Sequence, residues 1–260
     1  MAVKFTILGS GSGGNCAYIE TGETRVLVDA GFSPRQIRQR LGTIGRVPEN
    51  LTAILVTHEH SDHIQGLTGI AAKLNIPIYC NRATKEAFEF QLQTKFNCNL
   101  FNTGASFEIG DLQVDTFTIP HDAQDPVGFL IRTSAGNLAF VTDLGHMTKL
   151  VLERIRPANV LVLESNHDVK MLQDCPRRSW SLKQRILGRH GHLSNEAAAE
   201  SAAHVMSAGL KHLYLAHLSR ECNRPELAHY VMAEQLHQIG ATHVQLQTAT
   251  QEAPCATLNL

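Results

Sequence analysis

Leu51-Thr52-Ala53-Ile54-Leu55-Val56-Thr57-His58-Glu59-His60-Ser61-Asp62-His63 decides how this chain is read. Leu51 to Val56 is a short, almost wholly apolar run, the pattern of a buried strand. A helix-like stretch from Ile64 to Leu74 follows the last histidine. Three imidazoles and a carboxylate therefore sit on a loop between a strand and a helix. Imidazole nitrogen and carboxylate oxygen are ligands that zinc and similar divalent metals accept. Side chains of an extended segment project alternately to opposite sides, so this loop can serve two cations.

The rest of the composition bounds the class. The chain has 260 residues, 43% of them hydrophobic, enough for a packed core. A net charge of −1 excludes a globally basic surface and leaves only local patches to meet an anionic polymer. Cys16, Cys80, Cys98, Cys175, Cys222 and Cys255 are scattered with no C-x-x-C pair, which fits a reduced cytoplasmic protein. Met1 to Phe5 enter a strand pattern without the charged start and apolar run of a signal peptide. No stretch approaches the roughly 20 apolar residues of a membrane span. The expectation is a soluble, cytoplasmic protein with no membrane partner.

Alternation and turn residues predict the elements. Strands are expected over Val3–Leu8, Ala17–Glu20, Thr24–Asp29, Leu51–Val56 and Pro77–Cys80. Hairpins follow over Phe107–Ile119 and over Val127–Thr133 with Leu138–Thr142, and single strands over Val160–Leu163, His212–Ala216 and His243–Leu246. Helices are expected from Pro34 to Leu41 with Ser33 as cap and Gly42 behind, and over Ala83–Gln93, Met147–Ile155 and Leu182–Leu187. Two more run from Asn195 to Ala208, capped by Ser194, and over Pro225–Ile239. The two halves share an outline, each with strands leading to a ligand-bearing loop. The reading is one α/β domain, residues 1–260, with two mixed β-sheets packed face to face and helices outside.

Every further candidate ligand stands where an apolar strand stops. His121 follows Val114–Ile119, Asp143 follows Leu138–Thr142, and His217 follows His212–Ala216. Polar groups at the same ends of several strands converge on one centre, as α/β enzymes build their sites.

These residues, with Asp29 in Leu27-Val28-Asp29-Ala30-Gly31, resemble the metallo-β-lactamase fold superfamily. The resemblance implies an αβ/βα four-layer sandwich with a dinuclear centre. His58, His60 and His121 would bind one cation and Asp62, His63 and His217 the other, with Asp143 bridging. Asp29 would hold the histidine loop by hydrogen bonds. The cations would be zinc or manganese, since such a ligand set accepts several metals. Water shared by two cations loses a proton near neutral pH, and the hydroxide attacks a carbonyl or a phosphorus. Asp62 then belongs to the catalytic apparatus.

Gly9-Ser10-Gly11-Ser12-Gly13-Gly14-Asn15, His121-Asp122-Ala123, Glu164-Ser165-Asn166-His167-Asp168 and Gly191-His192-Leu193-Ser194-Asn195 are similar to the YycJ family, also called VicX or WalJ. That resemblance implies a cytoplasmic phosphodiesterase with exonuclease activity on DNA ends. Cys175 to Asn195 contains no acid but carries Arg177, Arg178, Lys183, Arg185 and Arg189 around Trp180. Basic groups beside an aromatic suit a phosphate backbone with a stacked base, so Arg185, Arg189 and Trp180 are candidate substrate contacts. Ser194, at a helix start, can receive a terminal phosphate. His192 can bind phosphate or protonate the leaving oxygen, and Glu164 can orient His217 or a water. The Gly9–Asn15 loop reads as a tight turn near the metals; no Gly-Lys-Ser/Thr follows, so it is not a P-loop. His146 and His167 lie near the ligand loops and remain open. The competing readings are a hydrolase of small thioesters, lactones or cyclic nucleotides, and a catalytically weak metal-binding partner in signalling.

Overall fold

The computed structural model describes residues 2–206 and 209–260. The first six strands are β1 (Lys4–Gly9), β2 (Cys16–Glu20), β3 (Arg25–Val28), β4 (Ala53–Leu55), β5 (Ile78–Cys80) and β6 (Cys98–Leu100). The next seven are β7 (Ser106–Ile109), β8 (Leu112–Thr118), β9 (Val127–Thr133), β10 (Gly136–Val141), β11 (Val160–Glu164), β12 (His212–Ala216) and β13 (Gln245–Thr248). A last strand, β14 (Leu258–Asn259), returns to pair with β1. The helices are α1 (Pro34–Thr43), the single turn α2 (Ser61–Ile64), α3 (Arg82–Leu92), α4 (Lys149–Ile155), α5 (Val169–Asp174), α6 (Trp180–Leu187), α7 (Asn195–Val205) and α8 (Pro225–Gln238).

Both sheets have seven strands, in the orders β14-β1-β2-β3-β4-β5-β6 and β13-β12-β11-β10-β9-β8-β7. Each begins as an antiparallel meander (β1–β3; β7–β10) and continues parallel (β3–β6; β10–β13). The shared outline of the halves is this repeated scheme. The carboxyl ends of β3 and β4 lie at one end of the first sheet. Those of β8, β10, β11 and β12 share one direction in the second.

The period of two along each strand sorts side chains into layers. Phe5, Ile7, Val26, Val28, Ala53 and Leu55 meet Val127, Phe129, Leu138, Phe140, Val160 and Val162 between the sheets. The alternate residues Leu27 and Ile54 turn outward onto Ile37 and Leu41 of α1 and Phe88 of α3. On the other side Leu161, Leu163, Leu213 and Leu215 pack against α4, α7 and α8. Each fully buried Val, Leu, Ile or Phe contributes about 1.5–3 kcal/mol over exposure. The result is the four-layer arrangement expected from the sequence.

Several local expectations shift. Ser33 caps α1 with a full capping box through Gln36. Gly42, however, lies inside α1, where a side chain would meet open space. The expected helix-like stretch from Ile64 to Leu74 is not one regular helix: α2, starting earlier at Ser61, stops at Ile64, and Thr68–Ala72 is a π-turn. Gly66 N–H bonds to the Ala30 carbonyl, and the Asp62 carbonyl accepts from Asn15 N–H. The helical ladder is broken to tie the histidine loop to its neighbours. α6 starts two residues earlier than expected, and β13 lies two residues later than His243–Leu246. The expected helix from Asn195 runs to Val205, and Ala208 lies outside the described residues. β6, α5 and β14 were not expected. No helix among the described residues is long and apolar enough to cross a membrane.

Candidate metal centre

Four histidines of the centre have their ring orientation set by a second hydrogen bond. Asp29 accepts from His63 Nδ1 at 2.8 Å and from Thr57 N–H at 2.9 Å. That leaves His63 Nε2 3.3 Å from Asp143 and 3.6 Å from Asp62. His121 Nδ1 lies 3.2 Å from the Gly191 carbonyl, so its Nε2 faces inward, 3.2 Å from His60 Nδ1. His217 Nδ1 is held by Glu164 at 2.8 Å, and its Nε2 lies 3.2 Å from Asp62. His58 Nδ1 meets the Thr57 hydroxyl at 3.0 Å. Such partners fix the tautomer and aim the other nitrogen.

Among the described residues the donor atoms gather in four sets, each within 4.8 Å: His58, His60 and His121; Asp62, His63 and His217; His58, His63 and Asp143; and Asp143, Glu164, His192 and His217. His58 Nε2 and Asp143 Oδ2 are buried without a hydrogen-bond partner. Buried polar atoms are normally paired, so His58 Nε2 points to a group other than protein, while Asp143 Oδ2 has only the His63 imidazole at 3.3 Å beside it. The chemistry and spacing of the donors fit divalent cations, and no cysteine is among them. Burial, reinforced by the His63 charge, drives His58 well below its ordinary pKa, keeping the imidazole neutral as a ligand must be. Burial alone would depress His63 and His217 too, but the surrounding carboxylates together outweigh it (Asp143, Asp29 and Asp62 for His63; Asp143, Asp62 and Glu164 for His217) and raise both well above the usual value. Burial opposes ionisation of Asp143, yet His217 and His63 hold its carboxyl well below the ordinary range. Cations binding here would displace protons from those imidazoles.

The backbone is strained where the ligands sit. Asp29, Asp143 and His217 have φ of 60°, 61° and 56°, each directly after a strand or one residue beyond it. Left-handed conformations of this kind cost about 1–3 kcal/mol each and collect at functional sites. Gly31 serves the same end by close approach: a methyl there would overlap the Asp62 carbonyl. Gly31→Ala is therefore expected to displace the Asp62–His63 turn and lower metal content and activity together. An unchanged metal stoichiometry in the purified variant would contradict this.

The glycine-rich loop braces the centre. Ser10 Oγ accepts from His217 N–H at 2.8 Å and donates to Asn15 Oδ1 at 2.7 Å. Asn15 Nδ2 lies 3.2 Å from His63 Nε2 and 3.3 Å from Asp62. The glycine pattern alone places this loop near the metals without assigning Ser10 or Asn15 a part. Their signal was two small polar residues inside a glycine turn.

Glu164 is fully engaged. Oε1 accepts from His217 and His192 at 2.8 Å each, and Oε2 accepts from Leu144 and Leu193 N–H at 3.0 Å. Burial opposes its charge, but the His192 imidazole and these bonds lower its pKa to about 2. It acts through the two histidines and has no oxygen free for water or substrate. His192, with its pKa raised because Glu164 outweighs burial, lines the cleft above the ligands.

The proposed substrate contacts divide. Arg185 lines the cleft, ion-paired with Asp122. So does Arg178, 3.1 Å from Glu221, which was part of the basic stretch but was not singled out. Arg189 lies outside the cleft against His146 at 3.0 Å, and Lys183 is buried with its ammonium on the Gln173 carbonyl. Trp180 is exposed and does not line the cleft. The Ser194 hydroxyl accepts from Ala197 N–H, which makes it a helix cap away from the cleft. The acid-free segment is thus a shell with its charges committed to several directions. Its basic residues do not form one face.

His167 is buried in the cleft wall, and burial lowers its pKa to about 4. A histidine with a depressed folded pKa binds fewer protons than the unfolded chain between about pH 6.5 and 4. Its contribution therefore falls as pH drops through that window. Metal-stripped His167→Leu should lose less melting temperature than wild type between pH 6.5 and 4.5; parallel curves would contradict this.

The profile of the Beta-lactamase superfamily domain matches residues 24–218. The chain is 39% identical over 245 residues to Exodeoxyribonuclease YycJ of Bacillus anthracis, covering 92% of this chain and 91% of that protein. It is also 39% identical to Exodeoxyribonuclease WalJ of Streptococcus pneumoniae, over 90% of this chain and 88% of that one. Among solved structures, the metallo-beta-lactamase fold protein YhfI of Bacillus subtilis superposes with a TM-score of 0.72. It is 17% identical, and the match covers 97% of this chain and 99% of that one. The chain belongs to the β-lactamase superfamily, within the YycJ/WalJ family.

Proposed function

We propose that this protein is a metal-dependent phosphodiesterase that removes nucleotides from the ends of DNA. The observation that carries the chemistry is the convergence of seven N/O donors, five of them buried, with His58 Nε2 buried and without a hydrogen-bond partner. His58, His60 and His121 would hold one divalent cation, and Asp62, His63 and His217 a second, with Asp143 between them. Zinc and manganese both suit this donor set. Two such cations supply Lewis-acid polarisation of a phosphoryl group and acidify water. The chain's own residues do the rest. Asp29 and Glu164 fix the ring orientations. His192, steadied through Nδ1 by Glu164, holds a proton at Nε2 for the leaving oxygen. Arg178 and Arg185 stand at the cleft for phosphates flanking the reacting one. The preference for DNA rests on the names of the relatives. The six free thiols fit a reducing, cytoplasmic setting. The core shared between the sheets favours residues 1–260 acting as one domain.

The cleft, of about 210 Å³, would also admit a small thioester, lactone or cyclic nucleotide. Salt separates the readings, because neutralised phosphates release counterions and make binding fall steeply with ionic strength. DNA binding by the wild type should weaken steeply between 50 and 200 mM salt, roughly tenfold or more. Arg178→Ala with Arg185→Ala should lower the slope of log K against log[salt] by about 1–2. Binding insensitive to salt would favour the small-ester reading.

A further inference from the structure

The three imidazoles of the first ligand set come from two loops. His58 and His60 lie on the loop after β4, and His121 lies between β8 and β9. Their rings meet edge to face. Centroids are 4.6 Å apart for His58 and His60, 5.1 Å for His58 and His121, and 4.9 Å for His60 and His121. A cation among them needs the two loops in a fixed relation. His58 and His121 each have a protein partner at Nδ1, which aims the ring. His60 Nδ1 instead faces His121 Nε2 at 3.2 Å, across the site itself. The placement of His60 therefore falls to its backbone.

Glu59, between the two histidines, reaches the other loop. Its Oε1 accepts from Gln124 N–H at 2.9 Å, three residues beyond His121. The rest of that loop is anchored without it: Asn81 Nδ2 donates to the Asp125 carbonyl and Thr103 Oγ1 to the Asp125 carboxylate, at 2.7 Å each. Glu59 is 5% exposed, and its Oε2 is buried with no hydrogen-bond partner. A buried carboxylate with one oxygen unsatisfied costs stability, and a single hydrogen bond returns little of it. The fold thus carries Glu59 at a cost, and the bond it makes joins two ligand loops.

We propose that Glu59 is a positioning residue that locks these loops in register and so sets the affinity of the His58, His60 and His121 site. The inference rests on the metal-centre reading and assigns one further residue to it. The bond fixes the spacing of His60 and His121 before a cation arrives, and donors already in place bind without the cost of ordering. The Asp62, His63 and His217 set has its own clamps in Asp29 and Glu164 and does not depend on this bond.

The test is competition of the metal-free protein against a chromophoric chelator for zinc, beside thermal melting of the same samples. His121→Ala identifies which binding step belongs to the first set. Glu59→Leu should weaken that step by about 10–100-fold and leave the other unchanged. Its metal-free melting temperature should stay at or near that of the wild type. Glu59→Gln, which keeps an acceptor for Gln124, should recover most of the affinity. In the His121→Ala background Glu59→Leu should cost no further affinity, because the ligand it places is gone. Three results would overturn the assignment: zinc affinity unchanged in Glu59→Leu, no recovery in Glu59→Gln, or a further loss in the His121→Ala background. Each leaves the metal centre standing and removes Glu59 alone. A wild type that binds no zinc removes both.

Discussion

Asp143→Ala should lower kcat/KM on DNA by on the order of 10³-fold or more, with the fold retained. This residue sits where the two ligand sets meet. Its carboxylate lies 3.3 Å from His63 Nε2, 3.4 Å from His217 Nδ1 and 3.9 Å from His121 Nε2. The oxygen facing His63, Oδ2, is buried and makes no well-aligned hydrogen bond. Removing it takes away the negative charge that the imidazoles and any cations share, so metal content should fall below that of the wild type. The check is elemental analysis of the purified variant beside steady-state kinetics and a circular dichroism spectrum. Turnover within tenfold of wild type would show that Asp143 does not join the two sets.

Glu164→Ala should be the most damaging change outside the ligands. It frees His217 and His192 from the bond that orients each, and leaves Leu144 and Leu193 N–H groups buried and unpaired. Breaking a buried charge pair by removing one partner costs about 3–5 kcal/mol. Losing the partner of a metal-ligating histidine weakens metal affinity by about 10–100-fold. Glu164→Gln keeps an acceptor for one of the two positions and should recover part of the metal affinity. Chemical denaturation and competitive metal titration separate the two effects. Affinity unchanged in the alanine variant would remove Glu164 as a positioning residue for His217.

Much of the centre was legible because the ligands mark where apolar strands end. His121, Asp143 and His217 stand one to three residues beyond β8, β10 and β12, and Asp29 stands directly after β3. Spacing could not show that three of these strand ends take a left-handed backbone. Nor could it show that the Ser61–Leu74 stretch gives up its helical ladder to Asn15 and Ala30. Those features depend on which distant carbonyl lies nearby. β14, of two residues, and β6, of three, are too short to carry a period. α5 had a signal in Asp168, whose side chain accepts from Met171 N–H. Gly42 was read as a stop, yet α1 buries Ile37, Arg40 and Leu41 and leaves that glycine on its open side. The substrate shell was the least legible part. A run without acids says how much positive charge is present but not where each side chain points. Lys183 and Arg189 turned to carbonyl and imidazole partners, while Arg178 reached the cleft.

The most direct measurement is degradation of end-labelled single- and double-stranded DNA, with and without a 5′-phosphate, in added manganese or zinc. Chelator and Asp62→Ala run beside it. Asp62 lies between His63 and His217 in the second ligand set, so its loss should stop turnover without unfolding the chain. Metal-dependent loss of nucleotides from one end is expected, abolished by chelator and by Asp62→Ala. Intact DNA under every condition, with both cations confirmed bound, would contradict it.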